Sequence, residues 1–406
     1  MKMIKVPDII LVCAFMTLIV TIWYQPQIVS KKDITPYVTV PLRKTMRRPD
    51  IKYILQWTKP YIKPFVFMER GRRTFIRRRC FFDNCFVTSY RNYLKHIIEF
   101  DAILFNGPEL ISSIIRLPSK RHLWQKYVFV SRESSANYPF YHNLRNVYNN
   151  FFNWTWTYRL NSDIYYGYLI IKNKEGYIIG PKKVMHWLKL EEMKPIDENV
   201  KKKLQSKKFV AAWFVSNCNT TSKREEIAKL LQQELAKYDM KVDIYGGCGN
   251  KICLQSTMPK CLKMLETDYY FYLAFENSLT FDYVTEKVLH ALQHYTIPIV
   301  YGGANYTRFM PEGSYLNVQS QSIEALVKKM MEIMNDKQKY YDYFRWTNHY
   351  SYHHPEEFPE TDYYCEFCRK INDYKSLTQT RYLNFNKWWN PNTKKNKMTS
   401  KSLLQY

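Results

Sequence analysis

Neither G-x-G-x-x-G nor G-x-x-x-x-G-K-[ST] occurs anywhere in the 406 residues. This disfavours a dinucleotide oxidoreductase and a P-loop kinase. Any bound phosphate must be held by side-chain cations and helix N-termini instead of a glycine cradle. The second half of the chain has no D-x-D, and Glu266-Thr-Asp268 is a poor substitute, so no metal ligand is assigned. Internal repeats and low-complexity segments are also missing. Acidic side chains are scarce: 36 Asp and Glu stand against 61 Lys and Arg, a formal charge of +25. Such an excess seeks acidic partners, whether nucleic acid, anionic membrane or a phosphate-bearing small molecule. The basic residues cluster in Arg70 to Arg79, Lys201 to Lys208 and a tail from Lys387 onward. Each run reads first as solvated surface. A basic nucleic-acid-binding protein is the reading of a different class, but no nucleic-acid module accompanies the clusters.

What is present is globular. Charged residues make up 24% and hydrophobic residues 46%, enough for a real core. The chain is long enough for two ordinary domains plus extensions. One long apolar run stands out, Ile9 to Tyr24, preceded by Lys2 and Lys5 and ending in the interfacial pair Trp23 and Tyr24. It is at the lower edge of spanning length, as suits thinner secretory-pathway membranes. A cleaved signal peptide would need a small-residue site after it, where the sequence reads Gln-Pro-Gln. The expectation is a cytoplasmic tail at 1–8, an uncleaved signal anchor at 9–25 and a proline-bearing basic stem at 26–50.

The remainder reads as luminal. Cys13 lies in the span; the other eight cysteines are Cys80, Cys85, Cys218, Cys248, Cys253, Cys261, Cys365 and Cys368. An even count beyond an anchor suggests disulfides, with roughly a hundred possible pairings. A zinc site from Cys80, Cys85, Cys365 and Cys368 fits poorly at the first spacing. Sequons stand at Asn153, Asn219 and Asn305.

From Ile51 the pattern alternates strand and helix. Tyr53 to Trp57, Ala102 to Phe105 and Tyr127 to Ser131 suit buried parallel strands. In the second half Phe209 to Val215, Val242 to Tyr245, Tyr270 to Phe275 and Ile297 to Tyr301 read as strands. Lys223 to Tyr238, Thr285 to His294 and Ser322 to Met334 read as helices between or after them. The alternation predicts an α/β protein of two facing Rossmann-like halves with a ligand cleft between them.

The most informative stretch runs from Phe271 to Val318. A strand ends at Phe275, and polar Glu276, Asn277 and Ser278 follow at its carboxyl end, where open sheets bind ligands. A loop then delivers Tyr283, and a helix opens at Thr285-Glu286-Lys287, with Thr285 as its expected cap. The helix N-terminus and Lys287 favour an anion, and Glu286 is placed to accept from ribose hydroxyls.

This stretch, F-E-N-S, four residues, then Y-V-T-E-K, resembles the signature of the α1,3-fucosyltransferases, glycosyltransferase family 10. The resemblance extends through VSRES at Val130 to Ser134, FNWTWTYRLNSDI at Phe152 to Ile164, AWFVSNC at Ala212 to Cys218, Arg224, VDIYGGCG at Val242 to Gly249, and Cys365-Glu-Phe-Cys368. It covers roughly residues 100–370. It implies a GT-B-like fold, with an acceptor-side domain at 51–190, a GDP-fucose domain at 191–370 and a basic tail at 371–406. It also implies inverting transfer of fucose from GDP-fucose to the 3-hydroxyl of N-acetylglucosamine in a glycoprotein glycan, by a type II protein of the Golgi membrane.

By the same resemblance Glu133 is the general base, standing after the third of the strands expected in the first half. Arg224 and Lys287 hold the diphosphate, and Asn277, Tyr283 and Glu286 line the GDP-fucose pocket. Cys80 and Cys85 are tied to Cys365 and Cys368. No cofactor is required; manganese stimulation and a homo-oligomer are compatible with the family. Ser135 departs from the proline common in relatives, and Asp163 is the substitute base if Glu133 is not. A transferase of the same fold with another nucleotide-sugar donor is the alternative that a donor screen separates. Innermost N-glycan N-acetylglucosamine and antennal lactosamine-type structures both remain as acceptors.

Overall fold

The computed structural model describes residues 47–112, 115–138, 147–377 and 381–390. The expected anchor, most of the stem and the tail beyond 390 lie outside them. Among the described residues no helix is long and apolar enough to cross a membrane.

Two parallel sheets carry the molecule. The first contains β1 (Lys52–Gln56), β2 (Cys85–Thr88), β3 (Ala102–Asn106), β4 (Lys126–Ser131), β5 (Trp154–Thr157) and β6 (Ile164–Tyr165), in the order β2-β1-β3-β4-β5-β6. The antiparallel pair β7 (Ile170–Asn173) and β8 (Ile178–Gly180) follows. The second parallel sheet contains β9 (Phe209–Phe214), β10 (Val242–Tyr245), β11 (Tyr269–Phe275), β12 (Ile297–Tyr301) and β13 (Leu316–Asn317), in the order β10-β9-β11-β12-β13. Finally β14 (Tyr350–His353) pairs antiparallel with β7, joining the end of the second half to the end of the first.

The strands are apolar on both faces because both faces are covered. In the first sheet Ile54, Leu104 and Val128 point into one core, while Leu55, Ile103 and Phe129 point into the other. The period of two along each strand produces this division. In the second sheet Trp213, Leu273 and Ile299 meet the helices Arg224–Ala236 and Ile323–Asn335, and Ala212, Tyr272 and Val300 meet the helix Glu286–Gln293. Fully burying one side chain such as Leu273 contributes about 1.5–3 kcal/mol.

Several sequence expectations need correcting. The short β2 is not among the strands expected from sequence, so Glu133 follows the fourth strand in chain order rather than the third, and the Trp-Thr-Trp-Thr strand β5 is a further addition. The boundary at residue 370 falls inside the helix Tyr363–Asn372, which does not pack with the second half. Its Tyr363, Tyr364, Phe367 and Cys368 lie in the first sheet's core with Val87, Trp154 and Trp156. The next segment does the same on the opposite face, where Phe385 and Trp389 are fully buried with Phe129 and Phe152.

Cys365 and Cys368, three apart on one helix face, bond to Cys80 and Cys85 respectively; Cys218 pairs with Cys248 and Cys253 with Cys261. The first two bonds tie the helix at 363–372 across 285 and 283 residues of sequence. Non-reducing peptide mapping is expected to recover these four pairs. Loss of either long-range bond by Cys365→Ser or Cys368→Ser should cost about 2–4 kcal/mol in reversible unfolding.

Asn153 is a correction of another kind. It is 2% exposed, and its Oδ1 accepts from the Tyr127 amide at 2.8 Å and from Arg121. A glycan cannot be accommodated there in this fold. Asn219 and Asn305 are exposed.

Candidate active site

Both sheets have the strand order in which the second strand flanks the first and the later strands run away on the other side. In each, the crevice lies where the chain changes direction, at the carboxyl ends of the strands. In the first sheet the loop after β1 brings Lys63 and Pro64 to this edge, the helix Gly107–Ser112 directly after β3 brings Pro108, and the loop after β4 brings Arg132 and Glu133. They line a cleft of about 600 Å³ whose other wall includes Glu286 and His354. A larger hollow of about 790 Å³, beside Trp187 and Arg308, contains none of the residues expected from sequence.

The Glu133 loop is a built turn. Ser131 Oγ donates to the Glu133 carbonyl at 3.0 Å, Ser134 Oγ accepts from the Ala136 amide at 3.1 Å, and the Ser135 amide donates to Tyr158 Oη at 3.3 Å. Arg132 lies over the rings of Tyr166, Tyr168 and Tyr363, and one of its nitrogens donates to the Gly167 carbonyl. Glu133 Oε2 accepts from Tyr283 Oη at 3.3 Å and Asn137 Nδ2 at 3.4 Å.

Behind the opposite wall, β11 is followed by Glu276, whose side chain is fully buried. Its carboxylate accepts from the Thr285 amide at 2.8 Å, the Thr285 hydroxyl at 2.9 Å and Lys287 Nζ at 3.1 Å. Thr285 therefore does not cap its helix through its side chain; the hydroxyl belongs to Glu276. Lys287 Nζ also donates to Thr285 Oγ1 at 2.6 Å and Glu286 Oε1 at 3.2 Å. Burial works against the Lys287 ammonium, but Glu276 and Glu286 outweigh it and raise its pKa. Burial likewise opposes ionisation of Glu286, yet Lys287 and His290 bring its carboxyl down to about 2. The Glu286 side chain keeps 42% exposure toward the cleft. This is a fixed-charge cluster with a cation at a helix N-terminus and an open carboxylate beside it. Sequence reasoning noted Glu276 at the strand end but gave it no role; its adjacency to Lys287 is a tertiary fact.

Arg224 opens its helix as expected but is only 4% exposed. Its Nη1 donates to the Phe275 carbonyl at 2.8 Å and its Nη2 to the Asn217 carbonyl at 3.1 Å, while Nε has no partner among the described residues. Burial lowers its pKa, opposed chiefly by Glu276. The guanidinium thus stitches the loop after β9 to the end of β11 and places its charge beneath the crevice. The Asn277 carbonyl takes part in the same seam, accepting from the Ser222 amide at 3.2 Å and Thr221 Oγ1 at 3.1 Å. Tyr283, expected in the donor pocket, is 2% exposed and gives its hydroxyl to Glu133 across the two halves.

Asp163 is committed elsewhere. Its Oδ2 accepts from the Thr155 amide at 2.9 Å and Tyr382 Oη at 2.8 Å, fixing β5 to the carboxy-terminal segment. Among the described residues no group of three or more His, Cys, Asp or Glu could hold a metal ion.

An acidic oxygen on one wall and an anion-favouring cluster on the other can take a proton from one reactant and offset negative charge on another. Comparison with known proteins bears on what those reactants are. Residues 204–388 match the family model described as Glycosyltransferase family 10 (fucosyltransferase) C-term, and residues 49–169 match the one described as Fucosyltransferase, N-terminal. Alpha-(1,3)-fucosyltransferase C of Drosophila melanogaster is 36% identical over 312 residues, covering 75% of this chain and 69% of that protein. Glycoprotein 3-alpha-L-fucosyltransferase A of the same organism is 33% identical over 330 residues, with 79% and 58% covered. The human 4-galactosyl-N-acetylglucosaminide 3-alpha-L-fucosyltransferase FUT6 is 31% identical over 342 residues, with 82% and 81% covered.

Proposed function

This chain belongs to glycosyltransferase family 10 as an enzyme of the GDP-fucose-dependent α1,3-fucosyltransferase class, and from that premise we propose an inverting transfer of L-fucose from GDP-β-L-fucose to the 3-hydroxyl of N-acetylglucosamine in a glycoprotein glycan. The observation that carries the reading is the cleft itself. Glu133 and Glu286 both line it, and Glu286 is held from behind by Lys287, which also bonds buried Glu276 and Thr285.

The acceptor oxygen attacks the anomeric carbon of fucose from the face opposite GDP. The bond from that carbon to the β-phosphate oxygen breaks, and the electron pair leaves with GDP. The hydroxyl proton passes to Glu133. The growing charge on the diphosphate is offset by Lys287, the N-terminus of the Glu286–Gln293 helix and the positive field of buried Arg224. One displacement turns a β-linked donor into an α-linked product. Glu286 is assigned to ribose hydroxyls, because an ionised, half-open carboxylate at this edge accepts hydrogen bonds. Asn277 is assigned to the donor side of the same edge.

The test is to incubate the soluble body with GDP-fucose and a panel of glycans carrying either innermost or antennal N-acetylglucosamine, read by mass spectrometry. Transfer of a deoxyhexose to one class supports the reading; no transfer to any, with GDP-fucose bound, defeats it.

We also assign the chain to the Golgi membrane, with residues 9–25 as a type II anchor and the catalytic body luminal. Four disulfides suit an oxidising compartment. In sealed microsomes the body should resist added protease and carry endoglycosidase-sensitive glycans at Asn219 and Asn305 but none at Asn153. Digestion of the body in intact vesicles would exclude this arrangement.

A further inference from the structure

We propose that Tyr283 is a positioning residue for the base: its hydroxyl, carried on a loop of the donor half, holds Glu133 Oε2 so that Oε1 is the oxygen that takes the acceptor proton. This rests on the reading of Glu133 given above.

The geometry points one way. Oε2 receives both available donors, Tyr283 Oη at 3.3 Å and Asn137 Nδ2 at 3.4 Å, while among the described residues none reaches Oε1. Both contacts are long, and catalytic hydrogen bonds often shorten only when substrates are bound. The Tyr283 ring is held from two sides, edge-on to Tyr158 at 4.9 Å between centroids and to Tyr168 at 6.3 Å. Those two rings are themselves bonded to the base's own loop, Tyr158 Oη through the Ser135 amide and Tyr168 Oη by donating to the Arg132 carbonyl at 3.0 Å. Burial, with Tyr168 and Glu133 close by, pushes the Tyr283 phenol well above its ordinary range, so it stays a donor.

The loop that carries Tyr283 is anchored independently of it. Thr280 Oγ1 lies 3.0 Å from Ser134 Oγ, and Asp282, at φ +58°, accepts from the Leu160 amide at 3.3 Å and from Arg308 Nη1 at 3.0 Å. The same loop runs directly into Thr285 and Lys287. The base is therefore oriented by the half of the molecule that binds the donor, and its geometry depends on the two halves being docked.

Tyr283→Phe keeps the ring and removes only the hydroxyl. Loss of a hydrogen bond to a charged group should lower kcat roughly tenfold or more, with KM for GDP-fucose and thermal stability within about twofold and a few degrees of the parent. In a Glu133→Gln background the same change should cost almost nothing further, because residues acting through one group are non-additive. Asn137→Ala, which removes the second donor to the same oxygen, should give a smaller loss of kcat and serves if Tyr283→Phe folds poorly. A raised KM for GDP-fucose with unchanged kcat in Tyr283→Phe would make Tyr283 a donor contact and overturn the proposal. Full additivity with Glu133→Gln would overturn it equally. Normal turnover in Glu133→Gln alone would remove the base assignment and this inference with it; an inactive Glu133→Gln beside a normal Tyr283→Phe would remove only the inference.

Discussion

Glu133→Gln should leave a folded protein that binds GDP-fucose normally and turns over about 10²–10⁴-fold more slowly, the range general-base assistance supplies. The swap keeps the shape of the side chain, and the amide oxygen can still accept from Tyr283 Oη and Asn137 Nδ2, so thermal stability should hold within a degree or two. What disappears is the capacity to accept a proton. Near-normal turnover would place the base elsewhere. Asp163 is a poor successor, because its carboxylate is consumed in joining β5 to Tyr382.

Lys287→Ala is expected to act twice. Removing a charge-assisted contact of about 1.5–3 kcal/mol should weaken GDP binding by roughly 10- to 100-fold. It also leaves Glu276, whose side chain is fully buried, without its cation. Stranding a buried charge costs on the order of 3–5 kcal/mol. The two effects separate if Glu276→Gln is added: stability should recover while GDP affinity stays low. Arg224→Ala should also weaken GDP binding, with a larger share of its effect in stability, because it orphans the Phe275 and Asn217 carbonyls. Titration calorimetry with GDP, alongside thermal melts, checks both. Unchanged affinity in folded Lys287 and Arg224 variants would remove these cations from the donor site.

The sequence was readable where physics is local. Phe209 to Val215, Tyr270 to Phe275 and Ile297 to Tyr301 are continuous apolar runs, as strands buried on both faces must be, and the structure places strands at each. The opening of the Glu286–Gln293 helix was legible from its motif. Four-residue strands such as Cys85–Thr88 carry too little pattern to be seen. Pairings that depend on tertiary approach were harder still. Tyr283 and Glu133 are 150 residues apart, and nothing local to either says that one holds the other. Thr285 has the residue type and position of a helix cap, and only the neighbouring buried carboxylate claims its hydroxyl. Arg224 reads as a cation holding the diphosphate at a helix start, and nothing local to it says that its side chain is buried and bonded to two backbone carbonyls. The helix at 363–372 is not among the elements read from sequence, and its return to the first sheet is implied only by the family resemblance that ties Cys365 and Cys368 to Cys80 and Cys85.

That return governs the order of events during synthesis. The first sheet leaves the ribosome early, but one of its faces waits for Tyr363–Asn372 and the other for Phe385 and Trp389. At ordinary elongation rates these arrive roughly 15–60 s after β2. The second half has its own helices and can mature meanwhile, so the half made first is the half finished last. During that interval Cys80 and Cys85 have no native partner, and the exposed aromatic faces are natural clients for chaperones and disulfide isomerases. A nonsense change anywhere between residues 363 and 389 would spare every strand of both parallel sheets and still leave the nascent protein unfinished, destined for disposal.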